Sequence, residues 1–159
     1  MSRSRLKFLR LRQTNQLRRK IRVGRILALD IGKKRVGLAI SDELKIIAST
    51  LRFVNFINLD DEIKKVTAEY DIDSIIVGLP RNMDGSEGSL AGFVRETLEK
   101  IKIITGERVK LILVDETLTS VEAMSRLRER KKSIKEKGEV DMEAAAIILE
   151  NYLKEKNVE

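Results

Sequence analysis

The sequence predicts an α/β domain: one mixed five-stranded sheet with helices packed on its faces. Three observations carry this. Short, almost wholly apolar runs are bounded by Gly, Pro or charged residues, as buried strands are. The first three such runs follow one another over short links, which favours an antiparallel meander. The last two alternate with stretches whose apolar residues recur at three- and four-residue spacing, so the order reads βββαβαβαα with the later strands in parallel.

Each element has its own signal. Ile26-Leu27-Ala28-Leu29-Asp30-Ile31 ends at Gly32, and Gly32-Lys33-Lys34 is a turn into Arg35-Val36-Gly37-Leu38-Ala39-Ile40, closed by Ser41-Asp42. Ile46 to Phe53 reads as the third strand. Leu59, Ile63, Val66 and Tyr70 mark an amphipathic helix opened by Asp60-Asp61-Glu62, acids that suit the positive end of a helix dipole. Ser74 to Leu79 is the next strand, ended by the chain's single proline, Pro80, and followed by a Gly-rich polar loop from Arg81 to Gly88. Leu90, Phe93, Val94, Leu98, Ile101 and Ile104 mark a long helix ended near Gly106. Val109 to Val114 is the fifth strand, running into Asp115-Glu116. Thr119-Ser120-Val121-Glu122 matches a capping box. Arg126 to Gly138 is dominated by charge and reads as a mobile loop, and Asp141 to Lys154 as the final helix.

Composition narrows the chemistry. The 159 residues contain no Cys and no His, which excludes disulfides, thiolate zinc sites, cysteine nucleophiles and imidazole bases. Catalysis must then use carboxylates, Lys, Ser, Thr or Tyr, and any metal must accept oxygen ligands. No segment approaches the roughly 20 apolar residues of a membrane span.

The net charge of +7 is unevenly spread. Residues 1–22 carry nine basic residues and no acid, and the remainder is slightly acidic. Residues 1–24 thus read as a flexible basic extension ahead of a domain at 25–156. Four readings of the extension stand open: a nucleic-acid-binding arm, an organelle-targeting segment, a contact with an anionic surface, or an added stretch before a true start near Val23.

The informative residues are acids. Asp30 sits near the end of an otherwise apolar strand, where an ionised carboxylate needs a cation or hydrogen bonds. It either accepts N–H bonds from the Gly32 turn and pairs with Lys34 or Arg35, or it is a ligand. Asp115 and Glu116 end another apolar strand, and because neighbouring residues point to opposite faces only one of them faces Asp30. Asp141 opens the last helix, where an Asp is routinely a cap. Converging carboxylates repel one another unless a cation lies between them, and a hard, oxygen-liganded ion such as Mg²⁺ is the natural occupant. Asp30, Asp115, Glu116 and Asp141 are therefore the candidate metal ligands, and phosphoryl transfer is the chemistry they fit.

Four segments together resemble the YqgF/RuvX family, Holliday-junction-resolvase-like nucleases also assigned to maturation of precursor 16S rRNA. They are Leu29 to Ala39 (LDIGKKRVGLA), Ile76 to Ser86 (IVGLPRNMDGS), Val114 to Ala123 (VDETLTSVEA) and Asp141 to Ala145 (DMEAA) with the apolar run after it. They stand in family order over residues 25–154.

The resemblance implies a ribonuclease H-like fold, in agreement with the order read above. It also implies a nuclease requiring Mg²⁺ or Mn²⁺, with Asp30, Glu116 and Asp141 as the catalytic acids. Lys34, Arg35, Asn82, Asp84, Gly85 and Ser86 become candidate nucleic-acid contacts, each with an alternative as an ordinary turn or cap residue. Two departures show. Resolvases proper have an acid where this chain has Gly78, and the family more usually has Arg where this chain has Thr117. The implied setting is cytoplasmic. The implied partners are precursor rRNA or branched DNA and the ribosome or pre-ribosome, with no membrane, and the protein is a monomer or homodimer. The competing function is a nucleic-acid-binding ribosome-assembly factor with little catalysis of its own. An actin-like phosphotransferase would need two such domains, and the chain has length for one.

Overall fold

A computed structural model describes residues 24–116, 119–129 and 137–158. Its strands are β1 (Arg25–Ile31), β2 (Arg35–Ser41), β3 (Ala48–Asn55), β4 (Ile72–Pro80) and β5 (Lys110–Glu116). Its helices are α1 (Leu59–Glu69), α2 (Ser89–Thr105), α3 (Thr119–Glu129) and α4 (Lys137–Val158). The order is the predicted one. The strands lie side by side as β3-β2-β1-β4-β5. The first three form an antiparallel meander, while β4 and β5 run parallel to β1. The C-terminal ends of β1, β4 and β5 therefore share one edge, where open α/β sheets carry their ligands.

Period-two alternation divides the sheet's residues between two faces. Leu27, Leu29 and Ile31 of β1 and Ile75, Val77 and Leu79 of β4 face a core closed by α1 and α2. Ile26 and Ala28 of β1 and Ile76 of β4 face α4. Ala144 to Leu149 are buried without a break because α4 is covered on both sides, by the sheet and by α3 through Ala123, Ala144 and Ile147.

Several boundaries differ from expectation, each for a local reason. The third strand begins at Ala48 rather than Ile46. Asp42 Oδ1 accepts the backbone N–H groups of Ile46 and Ile47 at 2.7 and 2.9 Å, which holds both in the turn. The expected loop from Arg126 is helical through Glu129, where Arg126 donates to Glu150 and Glu122. Residues 130–136, with Lys131, Lys132 and Lys135, lie outside the described residues, as do the basic extension through Val23 and Thr117. The last helix starts at Lys137, four residues before Asp141. Gly138, read from sequence as a loop glycine, is a packing glycine: a Cβ there would overlap the Phe53 ring. Asp141 consequently lies inside the helix and does not cap it.

Candidate active site

The site is built at the shared edge by three elements. Asp30 is the penultimate residue of β1 and follows Ile26 and Ala28 on the α4 face. Glu116 ends β5 and follows Ile112 and Val114 on that same face. The intervening strand is β4, so the two acids are not on adjacent strands. Gly78 of β4 bridges the gap: a Cβ there would overlap Glu116 Oε2 and come within 2.8 Å of Ile148 Cδ1. The carboxylate of Glu116 thus takes the space above β4 that a side chain at Gly78 would fill. At Gly78 the strand thus has an opening through which an acid arrives from the next strand.

Gly37 performs the corresponding service for Asp141. It is the register partner of Asp30 across β1 and β2. A Cβ at Gly37 would overlap the backbone carbonyl of Asp141, so the bare glycine lets α4 sit against the sheet beside Asp30.

The electrostatics follow from this packing. Asp30 and Glu116 are partly buried, and their carboxylates have no hydrogen-bond or ion-pair partner among the described residues. Burial pushes the Asp30 carboxyl up to about 7, and the negative charge of Asp141 adds to the rise. Burial pushes Glu116 up to about 8, with Asp30 adding to it. The alternative that Asp30 pairs with the adjacent cations does not hold. Arg35 Nε donates to Asp141 Oδ2 at 2.8 Å, Gly32 N–H goes to the Arg35 carbonyl, and Lys34 is exposed in the turn.

These observations also bear on a metal. Two partly buried carboxylates with no ion-pair partner among the described residues, each raised by desolvation and by a neighbouring acid, form an oxygen-only donor set that suits Mg²⁺ or Mn²⁺. Among the described residues no three acids stand close enough to form a ligand group. Asp141 is meanwhile engaged with Arg35.

Asp115 is not part of this cluster, contrary to its place among the expected ligands. It alternates with Glu116 onto the opposite face, its side chain is 70 % exposed, and Arg81 Nε donates to its Oδ1 at 2.8 Å. The sequence reading had not singled out Arg81. Its guanidinium also donates to the Gly85 carbonyl at 3.3 Å, and its backbone N–H to the carbonyl of Glu116 at 3.4 Å. The available signal was a cation directly after the strand-ending proline, with an acid ending the neighbouring strand.

Arg81 ties down one end of the loop, Arg95 of α2 holds Glu87 at the other, and between them the loop bonds to itself. Asn82 Nδ2 donates to Ser86 Oγ at 2.9 Å, and the Ser86 hydroxyl and backbone N–H both donate to Asp84 Oδ1. Those two bonds hold the Asp84 carboxyl below its usual range. Gly85 has φ +83°, which favours glycine. Asn82, Asp84 and Ser86 therefore shape the turn with their side chains, and all of them are exposed beside the acidic edge.

The fold is that of the ribonuclease H-like resolvases. The structure described as T. thermophilus RuvC in complex with Holliday junction substrate aligns over 84 % of this chain and 96 % of that one, with TM-score 0.53 and 14 % identity. The Fowlpox virus resolvase bound to Holliday junction DNA aligns over 83 % of this chain and 98 % of its own, with TM-score 0.55 and 15 % identity. At such identities the likeness is one of fold. The family model described as "RuvX: Holliday junction resolvase" matches residues 24–155, and the chain belongs to that family. Among its relatives, the protein named "Putative pre-16S rRNA nuclease" from Anaeromyxobacter sp. (strain Fw109-5) is 41 % identical over 133 residues, covering 81 % of this chain and 96 % of the relative. The protein of the same name from Endomicrobium trichonymphae is 38 % identical over 141 residues, with 82 % and 96 % covered.

Proposed function

We propose that this protein is a divalent-metal-dependent nuclease acting on structured nucleic acid in the cytoplasm. Precursor 16S rRNA, trimmed at its 5′ end, is the leading substrate, and four-way DNA junctions are the second. Family membership makes it a hydrolase of phosphodiester bonds. The single observation that carries the metal reading is the pair Asp30 and Glu116. Both acids lie on one sheet face, partly buried, and neither carboxylate has an ion-pair partner among the described residues.

In this reading Asp30, Glu116 and Asp141 hold the ion, which when bound supplies Lewis-acid activation of water and phosphate. The protein's own groups do the rest. Lys34, exposed in the turn after β1, and Arg35 bring positive charge to the substrate phosphates. The loop of Asn82, Asp84, Gly85 and Ser86 borders the same edge. It would meet nucleic acid mainly by its backbone, since its polar side chains are engaged with one another. The nuclease domain spans 25–156, and residues 1–24 are a basic extension ahead of it.

The test is a Mg²⁺-dependent cleavage assay comparing precursor 16S rRNA with a four-way DNA junction. Wild type should cleave and Asp30→Asn should not, while a chain beginning at Val23 should retain cleavage. Salt-sensitive binding without cleavage, unchanged in Asp30→Asn, would instead identify an assembly factor.

A further inference from the structure

Of the three acids assigned to the ion, Asp141 alone has a cationic partner among the described residues, and that partner is Arg35. The pair spans 106 positions of sequence and joins the start of β2 to the second turn of α4. It is made through Nε alone, at 2.8 Å, with both side chains partly open to solvent. A single-pronged, partly solvated pair is weaker than a bidentate one and gives way to a competing charge. The backbone of Asp141, by contrast, is seated on Gly37, where a Cβ would overlap it. The helix therefore has no room to move toward the sheet. What remains adjustable is the Asp141 side chain, whose charge already reaches Asp30.

We infer that Arg35 is a built-in competitor of the divalent ion for Asp141, and so a positioning residue that sets the ion concentration at which the site loads. This rests on the metal reading above and deepens it. With Arg35 on Asp141, the third carboxylate is satisfied and held off the other two. If Asp141 turned from Arg35 to join Asp30 in holding an ion, the Arg35 guanidinium would be free at the edge where substrate phosphate arrives. Loading the ion and freeing a phosphate-binding cation are then one event.

The test is Mn²⁺ binding to the full chain without nucleic acid, followed by calorimetry and by the paramagnetic resonance of free Mn²⁺. Arg35→Gln removes the competitor and should bind Mn²⁺ about three- to tenfold more tightly than wild type. Arg35→Met carries the same expectation should the Gln variant not fold. Arg35→Lys keeps a cation and should stay within about twofold of wild type. Wild-type or weaker affinity in the neutral variants, with binding lost in Asp30→Asn, overturns the inference and leaves the metal reading standing. Equal binding by wild type and Asp30→Asn overturns both.

Discussion

The carboxylate of Glu116 lies where a side chain on Gly78 would stand. β4 separates β5 from β1, and an acid on β5 comes to the face of Asp30 by leaning over a strand that offers no obstacle. The second acid of the site is thus supplied by one strand and admitted by another.

Filling Gly78 should therefore cost activity first. In Gly78→Ala the new methyl displaces Glu116 and crowds Ile148. Cleavage should fall at least about tenfold, with a stability loss of about 1–3 kcal/mol measured by urea unfolding. Unchanged kcat would show that the position of Glu116 over β4 is immaterial.

Gly37→Ala should do the reverse. Its methyl meets the backbone of Asp141, which no rotamer change relieves. The expected loss is about 3 kcal/mol or more, read as a lower urea midpoint, because α4 must lift from the sheet it helps to bury. A stability equal to wild type would contradict the described seating of α4.

The adjacent acids Asp115 and Glu116 should separate cleanly. Glu116→Gln should lower kcat/KM by about a hundredfold or more. Asp115→Asn loses one partner of an exposed ion pair with Arg81, and should stay within about threefold of wild type. The reverse ranking in the same assay would place the ligand on the other face of the sheet.

Stability of the ion-free protein should depend on pH in an unusual direction. The folded state raises Asp30 from 3.8 to about 7 and Glu116 from 4.5 to about 8. Between those limits the native state binds more protons than the unfolded one. The stabilisation is therefore complete below about pH 4 and lost as pH climbs through 7 to 8. Asp42, Asp84 and Glu87, whose carboxyls are held low, act only at more acid pH, and there is no His to obscure the window. Urea midpoints taken in chelator from pH 5 to 8.5 should decline, and Asp30→Asn should flatten the decline. Adding Mg²⁺ at pH 8 should restore stability in wild type, because an ion that binds only the folded state stabilises it. A midpoint that rises with pH would refute the raised acids.

Much of this was legible in one dimension, because strands and helices leave local periodic signals. The apolar runs of β1, β4 and β5 and the spacing of Leu59, Ile63 and Val66 are read directly. Boundaries slipped where a side chain made a non-local bond or where a glycine served packing rather than turning. Asp42 holds Ile46 and Ile47 out of β3, and Gly138 opens α4 against Phe53. A glycine within an apolar strand does signal close approach, but Gly78 does not name what approaches.

By itself the sequence determined the order of elements, the acidic and oxygen-only character of any metal site, and the candidates Asp30, Asp115, Glu116 and Asp141. These are properties of residue type and local pattern. Only the tertiary structure decided which member of Asp115-Glu116 faces Asp30, that Asp141 is held by Arg35 and is not a cap, and that Gly78 admits the Glu116 carboxylate while Gly37 seats the Asp141 backbone. Those depend on strand order, on the parity with which β5 ends and on where α4 rests. They are relations between residues tens of positions apart, fixed when the chain packs and not before.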